Sequence, residues 1–120
     1  MSGLSPSYQL TKLAESDFRN ARHWSRQRWG RDLTRTYFKD LHEGALYVAL
    51  NWRALPKKSS LTGSLELGIY AVREHYLVYV PIGEKSIVIL ALIRQSRDVP
   101  AILAANKFLI DREIKKLSKL

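Results

Sequence analysis

The stretch LELGIYAVREHYLVYVPIGEKSIVILALI, residues 65–93, decides the fold. Alternating and β-branched residues fill Leu65–Val72, Tyr76–Ile82 and Ser86–Ile93, and the polar triplets Arg73-Glu74-His75 and Gly83-Glu84-Lys85 interrupt them. β-branched and aromatic side chains suit a pleated, half-buried surface, and connections this short join neighbouring antiparallel strands. The stretch therefore predicts a three-stranded antiparallel meander.

Upstream, Tyr8 and Leu10 alternate with Gln9 and Thr11, which predicts a short first strand that can extend to Lys12. From Ala14 the period changes. Ala14, Phe18, Ala21 and Trp24 recur at spacings of three and four, so a helix is expected to run to about Trp29 and to stop at Gly30, a residue suited to a left-handed helix end. Leu33, Tyr37, Leu41, Gly44, Ala45 and Val48 repeat the helical spacing, and the intervening turn is short enough to demand an antiparallel hairpin. Leu55-Pro56 ends this unit, and residues 57–64 read as an exposed basic loop. Downstream, Asp98 is placed to cap a last helix, with Pro100 in its first turn and a stripe of Ile102, Leu103, Leu109, Ile110, Ile114 and Leu117. Lys115, Lys116 and Lys119 suit the negative end of that helix dipole. The stripe fits either a cap on the core or a face for a partner.

These elements predict one α+β domain over residues 1–120: an N-terminal strand, an antiparallel helical hairpin packed on a mainly antiparallel sheet, and a C-terminal helical extension over residues 98–120. Only Met1–Ser7 reads as loose. The 120 residues hold no cysteine, which excludes disulfides and thiolate metal sites, and the longest apolar run, Ile87–Ile93, is far too short to span a bilayer. The expected location is the cytoplasm. A formal charge of +9 draws polyanions or an acidic partner, and it excludes neither nucleic acid nor protein. A membrane surface is not expected, because no helix combines a wide apolar face with a basic one throughout.

The order strand, helix, helix, three strands, with Tyr8-x-Leu10-Thr11 at the start and Ala14-x-x-Asp17-Phe18 opening the first helix, resembles the RelE/ParE toxin superfamily. Trp29-Gly30, Tyr37, the Glu74-His75-Tyr76-x-Val78-Tyr79 run and Ile87-Val88-Ile89-Leu90 before Asp98 resemble its ParE branch. The resemblance covers Tyr8 to Asp98 and lies in the order of short motifs rather than in any one of them. It implies the toxin of a type II toxin-antitoxin pair, of the kind used in plasmid stabilization and growth inhibition, neutralised by a cognate acidic antitoxin. ParE members block DNA gyrase, whereas RelE members cleave messenger RNA on the ribosome. Two features depart from the pattern: Ile93-Arg94 stands where many relatives have a Leu-His pair, and the last helix is longer than the family's short tail.

Three sets of residues follow. Arg19, Arg22 and Arg26 form a basic stripe along the first helix and are expected to meet the antitoxin, although Asp17, Asp32 and Asp40 could pair with part of it. Arg94, Arg97, Lys107 and Arg112, in the distinctive C-terminal segment, are expected to meet the target. If the chain were a ribonuclease, the chemistry would fall to Arg73, His75, Tyr79 and Arg94, since metal-free RNA cleavage needs a proton acceptor, a proton donor and cations near the phosphate. The same His75 reads more simply as a partly exposed turn residue, and Tyr79 as a packed ring. Arg94-Gln95-Ser96 also lacks the aromatic or His-Tyr pair that ribonuclease members carry after the last strand, so a gyrase inhibitor is favoured over an enzyme. No metal or cofactor is expected: His23 and His42 have no carboxylate at ligand spacing, and no Ser-His-Asp set or phosphate-cradling glycine loop is present. A non-toxic nucleic-acid-binding module is the remaining alternative, motivated by the charge and three tryptophans. Trp24 reads as core, however, and Trp29 and Trp52 sit at helix ends rather than on a sheet where bases stack, so no specific nucleic acid is expected for the toxin alone.

Overall fold

A computed structural model describes residues 5–117. The chain runs β1 (Ser7–Leu10), α1 (Lys12–Asn51), a 3-10 turn (Trp52–Ala54), α2 (Ser59–Thr62), β2 (Gly68–Val72), β3 (His75–Gly83), β4 (Ser86–Arg94), α3 (Val99–Ala105) and α4 (Lys107–Leu117). The strands form one sheet in the order β1-β4-β3-β2, with β1 parallel to β4 and the other neighbours antiparallel. The meander is as expected. Only its first strand is shorter, starting at Gly68 rather than Leu65.

The helical hairpin is built within α1. Gly30 leaves helical geometry at φ 84, ψ −179, a conformation that costs glycine little and a side-chain-bearing residue more. The chain reverses there, so Phe18 meets Phe38 with ring centroids 6.2 Å apart and Tyr8 donates or accepts at His42 Nδ1 over 2.7 Å. The first half begins two residues before the expected Ala14, because Thr11 is the cap: its Oγ1 accepts from the Ala14 N–H at 3.1 Å and donates to the Leu90 carbonyl at 3.3 Å. Lys12 thus belongs to the helix and not to β1.

Both faces of the sheet are covered. The hairpin lays Tyr37, Leu41, Ala45, Val48 and Ala49 over Leu77, Tyr79, Ile87 and Ile89. On the other face Val99, Leu103 and Ile110 of α3 and α4 pack with Val78, Val80, Val88, Leu90 and Ile93. A central strand buried on both sides reads as an unbroken apolar run, which explains Ile87–Ile93. Burying each such large aliphatic side chain contributes about 1.5–3 kcal/mol against the entropy of ordering it.

Three expectations need correction. Leu33 is 61% exposed because the buried stripe of the second half starts at Thr34 and Tyr37. Residues 57–64 are not all loop: α2 forms a single helical turn there, and its Thr62 is buried, donating from Oγ1 to the Ser64 carbonyl at 2.8 Å. The C-terminal helix is two helices broken at Asn106, whose side chain donates to the Ile102 carbonyl, and the break turns Leu109 partly outward. Asp98 does cap α3, accepting from the Ala101 N–H at 3.1 Å, and Pro100 sits in the first turn. Lys119 and Met1–Leu4 lie outside the described residues. Among the described residues, no helix is long and apolar enough to cross a membrane.

Candidate functional site

The short β1 leaves room for a groove beside β4. β1 pairs with β4 only as far as Leu10 and Ile89, after which the chain lifts into α1 and leaves the remainder of β4 without a strand on that side. Asp17 of α1 takes the strand's place in part, its Oδ2 accepting the Leu92 N–H at 3.0 Å. Burial pushes the Asp17 carboxyl up, and the bond from Leu92 opposes that shift. Between the first half of α1, the end of β4 and the α3–α4 pair lies a groove of about 470 Å³. Leu13, Ala21, Leu92, Ile102, Leu103 and Ile110 give it apolar walls, and Asn20, Trp24, His75, Arg94, Arg97 and Asn106 supply its polar and aromatic parts.

His75 is the first residue of β3 and only 3% exposed, so it is not the partly exposed turn residue expected from its neighbours. The turn is confined to Arg73 and Glu74, with Arg73 at φ 55. Tyr37 explains the burial. Its hydroxyl accepts the Glu74 N–H at 3.2 Å and is hydrogen-bonded to His75 Nδ1. Burial, and then the Arg94 charge, hold the His75 pKa down to about 4, which leaves the ring neutral at physiological pH. Burial also pushes the Tyr37 hydroxyl up. Gln95 completes the turn, its side chain donating to the carbonyls of Arg73 at 2.8 Å and His75 at 3.1 Å.

Of the four residues proposed for RNA cleavage, only His75 and Arg94 come together in the groove. Arg73 is held by Asp40, with Nε 2.6 Å from Oδ2, and lies over the Tyr37 ring at 6.0 Å. Tyr79 is 2% exposed in the hairpin-side core, where its ring lies against Gly68: a Cβ there would stand 2.2 Å from Cζ. A neutral imidazole this hard to protonate is a weak proton acceptor.

The remaining candidates are spread out. Arg19, Arg22 and Arg26 are all exposed on the first half of α1, and none joins an ion pair among the described residues. Of the acids that could pair with them, Asp17 is engaged by Leu92 and Asp40 by Arg73, and Asp32 makes no ion pair with the stripe among the described residues. Arg94 and Arg97 line the groove, whereas Lys107 pairs with Asp111 at 2.6 Å and Arg112 lies over Phe108 at 5.9 Å. The target set is therefore not one cluster. Trp24, read as core, is half-buried and carries two guanidiniums, Arg28 at 4.9 Å and Arg94 at 4.7 Å. Asp17 and Trp24 escaped the functional reading because their roles depend on where β4 ends relative to α1, which no local spacing encodes. Among the described residues, no three His, Cys, Asp or Glu side chains are grouped to hold a metal ion.

A hairpin on one face of a mixed sheet, with a groove carrying Arg94 and Arg97 at the open part of its central strand, defines a small α+β domain. The fold is shared with a solved chain described as "Chromosomal ParDE TA system from P. aeruginosa", at a TM-score of 0.60 and 14% identity, over 75% of this chain and 96% of that one. Residues 8–99 match the family model described as the ParE toxin of the type II toxin-antitoxin system parDE, and the chain belongs to that family. No curated protein matches it.

Proposed function

We propose that this ParE-family toxin acts in the cytoplasm by binding and inhibiting DNA gyrase, and that an acidic antitoxin neutralises it by direct contact. The observation that carries this reading is the span of the family match, which runs from Tyr8 in β1 through the whole hairpin and the other three strands. Arg94 and Arg97, in the groove, are the proposed target contacts, and Lys107 and Arg112 on α4 complete the proposed set. The exposed stripe of Arg19, Arg22 and Arg26 is the proposed antitoxin contact. Exposed, unpaired cations accelerate encounter with an acidic partner more than they tighten the final complex.

The test is supercoiling of relaxed plasmid by purified gyrase with ATP and increasing toxin. Inhibition that the cognate antitoxin reverses supports the reading. Uninhibited supercoiling at a large excess of folded protein, together with cleavage of messenger RNA on ribosomes, would replace it with the ribonuclease alternative. The buried Tyr79 and weakly basic His75 count against that alternative. Changing Arg19, Arg22 and Arg26 to Glu should slow antitoxin association at low salt; an unchanged association rate would remove the stripe from the account.

A further inference from the structure

Six of the eleven arginines lie between Arg19 and Arg35, a stretch with no lysine and one acidic residue after Arg19, Asp32. The hairpin reverses inside it at Gly30. The fold then adds Arg94 from the end of β4, which shares the Trp24 ring with Arg28, whereas Arg73, over Tyr37, is already held by Asp40. The rings form one connected series, Phe38 to Tyr37 to Trp29 to Trp24, with centroid separations of 6.1, 5.1 and 5.2 Å. One pole of the molecule is thus an arginine surface backed by aromatic rings.

The chemistry of that pole favours phosphate. A guanidinium stacked on a ring keeps its planar fork of donors pointing outward, and that fork matches phosphate in two-point contact where lysine offers a point charge. Most of the rings are already covered: Arg22 lies 4.3 Å from the Phe38 centroid, Arg73 6.0 Å from that of Tyr37, and Trp24 has two arginines. Few aromatic faces are left for unstacked bases, so the surface suits the backbone of a duplex better than a single strand.

We propose that this pole holds the phosphate backbone of duplex DNA, without reading its sequence, so that the toxin engages gyrase together with its DNA. The significance of the contact rests on the gyrase reading, but the binding does not, and it is measured without gyrase. The probe is a labelled duplex of about 20 base pairs, titrated by fluorescence anisotropy at several salt concentrations. Each phosphate contact adds about 0.9 to the slope of log affinity against log salt. The variant Arg28→Gln, Arg31→Gln, Arg35→Gln is expected to flatten that slope by about 2–3 and to weaken binding by more than about tenfold near 0.1 M salt. Changing Lys57, Lys58 and Lys85 to Gln removes the same charge away from the pole and should change binding much less. Changing the three arginines to Lys keeps the charge and should produce an intermediate loss.

Equal losses for the arginine and lysine sets would overturn the proposal, since general charge would then account for the binding. So would tighter binding of a single strand, or of oligoglutamate, than of the duplex, the last assigning the pole to an acidic protein. Circular dichroism of each variant separates lost contacts from lost fold.

Discussion

On the hairpin face of the sheet, Tyr37, Leu41, Ala45, Val48 and Ala49 are all buried against strand residues, whereas on the opposite face α4 contributes a single buried residue, Ile110. Its Phe108 and Leu109 stay 74% and 41% exposed. The family match ends at Val99, the first residue of α3, so the tightly filled side belongs to the shared domain and nearly all of α3–α4 lies beyond it. The groove opens where these two regions meet. One side of the sheet supplies the rigid frame, and the other supplies the surface on which this chain can differ from its relatives.

The largest test of that difference is a pair of truncations. Leu41→Ala should cost about 2–5 kcal/mol in urea unfolding, because the filled core cannot collapse around the void. Ile110→Ala should cost about 2 kcal/mol or less, since α4 can shift to close the gap. Equal costs would break the comparison. Gly68→Ala should follow at about 1–3 kcal/mol, as the new methyl meets the Tyr79 ring inside the hairpin-side core.

Asp17 tests the boundary between the regions. Asp17→Ala should cost about 1–3 kcal/mol by leaving the Leu92 N–H without its acceptor. Asp17→Asn keeps an acceptor and should change the pH profile instead. Because burial raises the folded carboxyl's pKa, the folded protein holds a proton that the unfolded chain releases, and stability from this group falls as pH rises through that window. Asn should abolish that fall, seen as unfolding midpoints compared at pH 4 and pH 7.

His75 has the opposite sign. Its pKa drops from 6.5 to about 4 on folding, so its contribution is complete above pH 6.5 and declines as pH falls toward 4. His75→Gln should flatten the midpoint over that interval. The smallest expected effect is Lys107→Ala, which removes an exposed pair with Asp111 and should leave the midpoint unchanged within error.

The frame was legible because its signals are local or periodic. Gly30 between two helical stripes announced the hairpin, and the alternation after residue 65 announced the meander. Asp98 and Pro100 announced the start of α3. The break at Asn106 was not legible, because the apolar spacing continues through it and only packing on the sheet decides where the helix must bend. The site was read in pieces. Arg94 and His75 were singled out separately, but their meeting with Trp24 and Asp17 depends on contacts between residues more than fifty positions apart. Burial of His75 was missed for the same reason, since its partner Tyr37 is 38 residues away.

The most direct measurement of the central claim is amide hydrogen exchange of the toxin, alone and bound to gyrase with its DNA. The account predicts new protection at the end of β4, in α3–α4 and at the Gly30 reversal, with little change along the buried second half of α1. Protection confined to the outer face of that second half, around Leu33, Tyr47 and Leu50, would place the target on the frame and contradict it.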